Sequence, residues 1–194
     1  EDIEKSKLVW KTFKGYIDND GDGYGSGPLT SICTNGKRPK NLSSDTSTSE
    51  SALIHALNEI KNNYSISPDI IVFLQATSPL RKIDDIKNAI QFFIDKNADS
   101  LFSATVISDL TIWNNTKDNW ESLNFDYQNR KRRQDMPLNF IENGSIYIFK
   151  PEILINHGNR LGGKIVSYLM EFWQTWEIDT KDEVDLVEYY LKNK

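Results

Sequence analysis

Four consecutive apolar residues, Ile70-Ile71-Val72-Phe73, run without polar alternation into Leu74-Gln75-Ala76-Thr77-Ser78-Pro79-Leu80-Arg81, and an amphipathic stripe of Ile86, Ala89, Ile90, Phe93 and Ile94 follows. Unalternated apolar runs of this length suit a strand covered on both faces, whereas the stripe has the 3.6-residue period of a helix lying on a sheet. Strand, loop and helix in that order predict an α/β unit, with Asp84 and Asp85 at the helix start. In open α/β sheets ligands sit beyond the carboxyl ends of the strands, which places a candidate site at Gln75 to Arg81. An amide, two hydroxyls, a turn-setting proline and a guanidinium able to grip a carboxylate or phosphate gather there.

The same alternation governs the chain from residue 37 onward. Ser47-Thr48-Ser49-Glu50 reads as a capping box opening a helix with Ala52, Leu53, Ala56, Leu57 and Ile60 on one face. Leu101 to Val106 and Ser145 to Phe149 read as strands, and Thr180-Lys181-Asp182-Glu183 as a second capping box with Val184, Val187 and Leu191 inward. Residues 107 to 138 hold Trp113, Trp120, Phe125 and Tyr127 among polar residues, too aromatic for disorder and too irregular for one helix. Residues 1 to 36 are Gly/Asp-rich and lack apolar periodicity, so the chain divides into a 1–36 segment and a 37–194 domain.

With 194 residues and a net charge of −5, the chain allows a sizeable core and gives no broad basic surface for nucleic acid. Arg130 to Arg133 form its one dense basic cluster, either a solvated loop or a local trap for anions. A single cysteine, Cys33, excludes an internal disulfide and a cysteine metal cluster. No apolar leader or 18-residue apolar run is present, so no membrane association is expected and a cytoplasmic location is.

Leu74 to Arg81 resembles the Leu-Gln-Pro-Thr-Ser-Pro-Leu-Arg motif of the acylneuraminate cytidylyltransferases, departing at Ala76 where that family has proline. Further matches follow in register: Arg38-Pro39 with Leu42, Asp45 and Ser49; Arg133 to Pro137; Glu142 to Tyr147; Gly162-Gly163-Lys164; and Glu177-Ile178-Asp179-Thr180. The resemblance implies a Rossmann-like nucleotide-diphospho-sugar transferase fold. That means a mostly parallel sheet with flanking helices and a small β extension through which a homodimer forms. It also implies transfer of CMP from CTP to a sialic-type α-keto sugar acid, with release of pyrophosphate. By position in the motifs, Arg38, Ser47 and Ser49 would line the cytidine side, and Gln75 would read the sugar acid. Arg133 and Gln134 would lie over the sugar and phosphates, Asn143 near the ribose or sugar, and Ser78 and Arg81 in the same substrate site. Asp179 and Arg133 are the implied catalytic residues. Glu177 and Asp179 are the implied Mg²⁺ ligands, although the family pattern is Asp-Ile-Asp and Glu177 is one methylene longer. Structural roles remain open for Ser47, as a helix cap, and Asn143, beside Gly144.

The family's first strand and its Gly-Ser-Lys-Gly phosphate loop are not found in residues 1–36, so the fold is expected to be incomplete at its N-terminal side. Asp18, Asp20 and Asp22 instead occupy positions 1, 3 and 5 of an EF-hand-like loop with Gly23 at position 6, while position 12 is Leu29 rather than glutamate. Either a weak Ca²⁺ site or a plain Asp/Gly turn accounts for that run. The alternatives to a working transferase are therefore an inactive relative that binds sugar acids or forms dimers, and a calcium-binding fragment.

Overall fold

A computed structural model describes residues 48–107 and 110–194. The described residues fall into two units that divide between Ser67 and Pro68; the expected boundary at residues 36 and 37 lies outside the described residues. In the first unit, helix α1 spans Ser49–Tyr64. Its N-cap is Thr48, whose hydroxyl accepts from the Ser51 N–H at 3.2 Å. The cap thus falls one residue later than the anticipated Ser47, which itself lies outside the described residues.

The second unit carries a four-stranded sheet of β1 (Ile71–Phe73), β2 (Ser100–Ile107), β5 (Asn139–Phe149) and β6 (Ile165–Met170), in the order β1-β5-β2-β6. A separate hairpin pairs β3 (Trp113–Thr116) with β4 (Asn119–Ser122). Helices α2 (Asp85–Asp95), α3 (Pro151–His157) and α4 (Lys181–Asn193) complete the mixed α/β unit. The expected strands at 70–75, 101–106 and 145–149 are all present, and β5 begins six residues earlier than the sequence suggested. Three strands share one direction, but β5 runs against both neighbours and only β2 with β6 is a parallel pair. The reason is the route of the chain. It leaves β2 at Ile107 and returns at Asn139, directly opposite, so the return strand must be antiparallel. Among the described residues β1 pairs on one side only, and its residues are half-buried rather than fully enclosed.

One sheet face packs on α2. Ala89, Phe93, Ala98, Leu101, Ile146, Ile148 and Met170 form the core, with Ile70, Val72, Leu74, Ile86 and Ile90 against it. Each fully buried large side chain there contributes about 1.5–3 kcal/mol. Two helix faces are narrower than their periodicity suggested: Ile94 of α2 and Val184 and Leu191 of α4 are exposed, and only Val187 of the α4 stripe is buried. A 3.6-residue repeat marks a face without saying how far its covering extends. Asp85, buried at the start of α2, accepts from the Lys82 N–H at 2.6 Å and from Gln174 Nε2 at 2.7 Å. This fixes the loop that follows the candidate site.

Candidate functional site

The sequence Glu142-Asn143-Gly144-Ser145 breaks β5. Between the pairs Phe102↔Tyr147 and Ala104↔Glu142 the strand β2 advances by two residues and β5 by five, so the intervening residues bulge out of the ladder. Bulges bend a strand and re-aim its residues, often beside functional sites. The bulge is held from within. Ser103 Oγ accepts from the Ile146 N–H at 2.8 Å and donates to Asn143 Oδ1 at 2.5 Å. Asn143 Oδ1 also accepts from the Ser145 N–H at 3.3 Å, and its Nδ2 faces Met170 Sδ at 3.3 Å. Asn143 is 1% exposed, so its amide serves the backbone of the bulge.

Gly144 is buried within the bulge with φ +62°, a left-handed conformation that favours glycine. Its missing side chain is also a missing obstacle. A Cβ there would lie 2.0 Å from Glu177 Oε1 and 3.0 Å from Gln75 Oε1. Three segments far apart in sequence therefore converge: the loop after β1, the bulge of β5 and the residues before α4. A backbone bond from the Ile178 N–H to the Thr77 carbonyl, at 2.8 Å, ties the first to the third.

Burial raises the Glu177 carboxyl above the ordinary glutamate range; a hydrogen bond from Ser78 works against this, and the charges of Asp179, Glu142 and Glu183 add to it. Ser78 is buried, with its hydroxyl 3.5 Å from the Asn143 carbonyl. Arg81 has a strapping role. Its Nη1 donates to the Ser78 carbonyl, to the carbonyl and hydroxyl of Ser145 at 3.2 and 3.3 Å, and to the Gln75 carbonyl at 3.4 Å. Burial lowers its pKa. The structure thus uses Arg81 to clamp the β1 loop to the bulge, where the sequence suggested an anion grip.

Asp179 is exposed just before α4. Its N–H and that of Thr180 both donate to the Glu183 carboxylate, at 2.8 and 2.7 Å, within the anticipated capping box. These two backbone bonds hold Glu183 below the usual glutamate range. Among the described residues no group of three or more His, Cys, Asp or Glu side chains gathers as a metal site. Mg²⁺ does not require one, since it commonly binds one or two carboxylates together with water and substrate phosphates. Asp179, an exposed carboxylate just before α4, fits that mode.

Arg133 and Gln134 lie exposed in a short 3-10 turn, Arg133–Asp135, where Arg132 pairs with Asp135 at 2.7 Å. Nearby in sequence, Trp113 packs on Phe125 and Tyr127 at 5.2 and 5.5 Å, and Arg130 lies over Phe125. Ser49 is exposed in the first turn of α1, in the other unit. Asp18, Asp20, Asp22, Arg38 and Ser47 lie outside the described residues. The sequence reading missed Ser103 and the Glu142–Tyr147 pair, in which the Tyr147 hydroxyl donates to the carboxylate while Arg160 lies 4.3 Å over the ring. Asn-Gly inside an apolar strand pattern was the available sign of a bulge.

No family model matches the chain. It is 26% identical over 159 residues to post-translational flagellin modification protein B of Campylobacter coli, covering 81% of this chain and 68% of that protein. It is 26% identical over 148 residues to N-acylneuraminate cytidylyltransferase of Streptococcus agalactiae serotype V, covering 75% and 35%. N-acylneuraminate cytidylyltransferase A of Danio rerio is 30% identical over 147 residues, covering 74% and 33%. The chain is a distant relative of these proteins. It spans about two thirds of the first and about one third of the other two. Among the described residues no helix is long and apolar enough to cross a membrane.

Proposed function

We propose that the chain is a nucleotidyltransferase of the cytidylyltransferase type, joining CMP from CTP to a sialic-type α-keto sugar acid on a Rossmann-like nucleotide-diphospho-sugar transferase fold. The observation that carries this reading is the convergence of Gln75, Gly144 and Glu177 beyond the end of β1. It brings together three of the segments that resemble that family, and the distant relatives named above support the same chemistry.

In the reaction the anomeric hydroxyl oxygen bonds to the α-phosphorus of CTP, the α–β phosphoanhydride bond breaks, pyrophosphate leaves and the hydroxyl proton passes to solvent. Such a step needs positioning and charge stabilisation more than covalent participation by the protein. Gln75 contacts the sugar acid. Arg133 and Gln134 serve the sugar and phosphates from their exposed turn. Ser78, Arg81 and Asn143 act by holding the loop and the bulge in place. Mg²⁺, when bound through Asp179, would supply neutralisation of the leaving pyrophosphate. The exposed aromatic hairpin around Trp113 and Trp120 is the homodimer surface.

Pyrophosphate release from CTP and Mg²⁺, measured with a panel of α-keto sugar acids, tests the reading. Residues 1–36 carry no basic glycine-rich loop for the triphosphate. Slow, sugar-acid-dependent release that Asp179→Ala abolishes is therefore the expected result. The absence of both release and calorimetric binding of any sugar acid would overturn the proposal, and sugar-acid binding without release would favour a binding role.

A further inference from the structure

Glu177 stands where the resembling family has aspartate, and the structure shows where the extra methylene goes. Its carboxylate reaches over the bare Cα of Gly144, with Oε1 and Cδ lying 2.0 and 3.0 Å from the place of a Cβ, and Gln75 Oε1 meets the same space at 3.0 Å. Ser78, 1% exposed, reaches the carboxylate from the loop. A carboxylate accepts hydrogen bonds only, while an amide can turn either its oxygen or its N–H₂ to a ligand. Side by side they match one hydroxyl that donates to Glu177 and accepts from Gln75. Asp179, by contrast, is exposed.

We propose that Glu177 is a specificity-determining residue on the sugar side, forming with Gln75 a ledge over Gly144 that binds a hydroxyl of the sugar acid, and that Asp179 without Glu177 holds the cation. The inference rests on the sugar-acid reading above. It assigns Gly144 a role as well: any side chain there closes the ledge. A carboxylate at this ledge also turns the substrate's own carboxylate away from Glu177 by like-charge repulsion, which sets the orientation of the sugar acid.

Calorimetry with sialic-type sugar acids and with analogues lacking single hydroxyls tests this on the full chain, using Glu177→Gln, Glu177→Ala and Gly144→Ala. The Glu177 variants should bind the parent acid roughly 10- to 100-fold more weakly, the range set by a hydrogen bond to a charged group. One deoxy analogue should bind wild type and Glu177→Ala equally. The Mg²⁺ concentration for half-maximal pyrophosphate release should stay unchanged in Glu177→Gln and rise in Asp179→Asn. If Gly144→Ala fails to fold, the Glu177 variants and the analogue series carry the test alone. Equal affinity of wild type and Glu177→Ala for every acid, or a raised Mg²⁺ requirement in Glu177→Gln, would overturn the inference while leaving the transferase reading intact. Failure of the wild type to bind any sugar acid would overturn both.

Discussion

Removing one hydroxyl, that of Ser103, should loosen the bulge that presents Gly144. In Ser103→Ala the Ile146 N–H loses its 2.8 Å acceptor in a place where Ile146 is 0% exposed. An orphaned buried donor costs about 1–3 kcal/mol. Asn143 Oδ1 loses its 2.5 Å donor but keeps the Ser145 N–H at 3.3 Å, so the second loss is that of one net hydrogen bond, about 0.5–1.5 kcal/mol. The expected destabilisation is about 2–4 kcal/mol. Urea unfolding followed by tryptophan fluorescence should then show a midpoint lowered by roughly 1–2 M, taking a slope of about 2 kcal/mol per molar. Ser103→Ala and Asn143→Ala should also be non-additive, since each breaks the same network. A shift below about 0.5 kcal/mol, or full additivity, would refute the claim that the bulge is held by these two side chains.

Asp99 sits low in pKa, first because of the Lys150 hydrogen bond and then the Lys164 N–H. A depressed carboxyl stabilises the fold above its ordinary value and loses that contribution as pH falls through the folded one, so acid should destabilise wild type more steeply than Asp99→Asn below about pH 4; parallel acid limbs in thermal melts would contradict this. Thr180→Ala removes half of the reciprocal α4 cap and should cost about 1 kcal/mol in a melting experiment, with no cost if α4 frays already. Light scattering should give twice the 22.4 kDa chain mass at micromolar concentration, and Trp120→Arg on the exposed hairpin should return it to one; a monomeric wild type would sink the dimer.

The local grammar of the chain was legible. Ile71 to Phe73 makes a strand, Asp85 opens a helix, and Thr180 and Glu183 cap each other, because each depends on neighbours within a few positions. The place of β5 between β1 and β2 was not. It depends on where the chain returns after the 110–138 excursion, and no residue in β5 records that its partners are Phe73 and Phe102. The site divides along the same line. Gln75 and Ser78 are found by the rule that strand ends carry ligands. The inward turn of Asn143 is settled by Ser103, 40 residues away, and the clamp of Arg81 by Ser145, 64 residues away.

Within four residues of β5 the chain also separates holding from facing. Asn143 spends its amide on Ser103 and Ser145, and Ser145 receives Arg81, so substitutions at both should register as lost stability. Gln75 and Glu177 meet over the bulge between them, where substitutions should register as lost binding with the melting temperature little moved. Gly144 alone belongs to both classes. Its φ of +62° makes any L-residue there cost roughly 1–3 kcal/mol, and the 2.0 Å approach of Glu177 forces the carboxylate away even where the backbone tolerates the change. The glycine is thus where the stability of the bulge and the shape of the site are coupled.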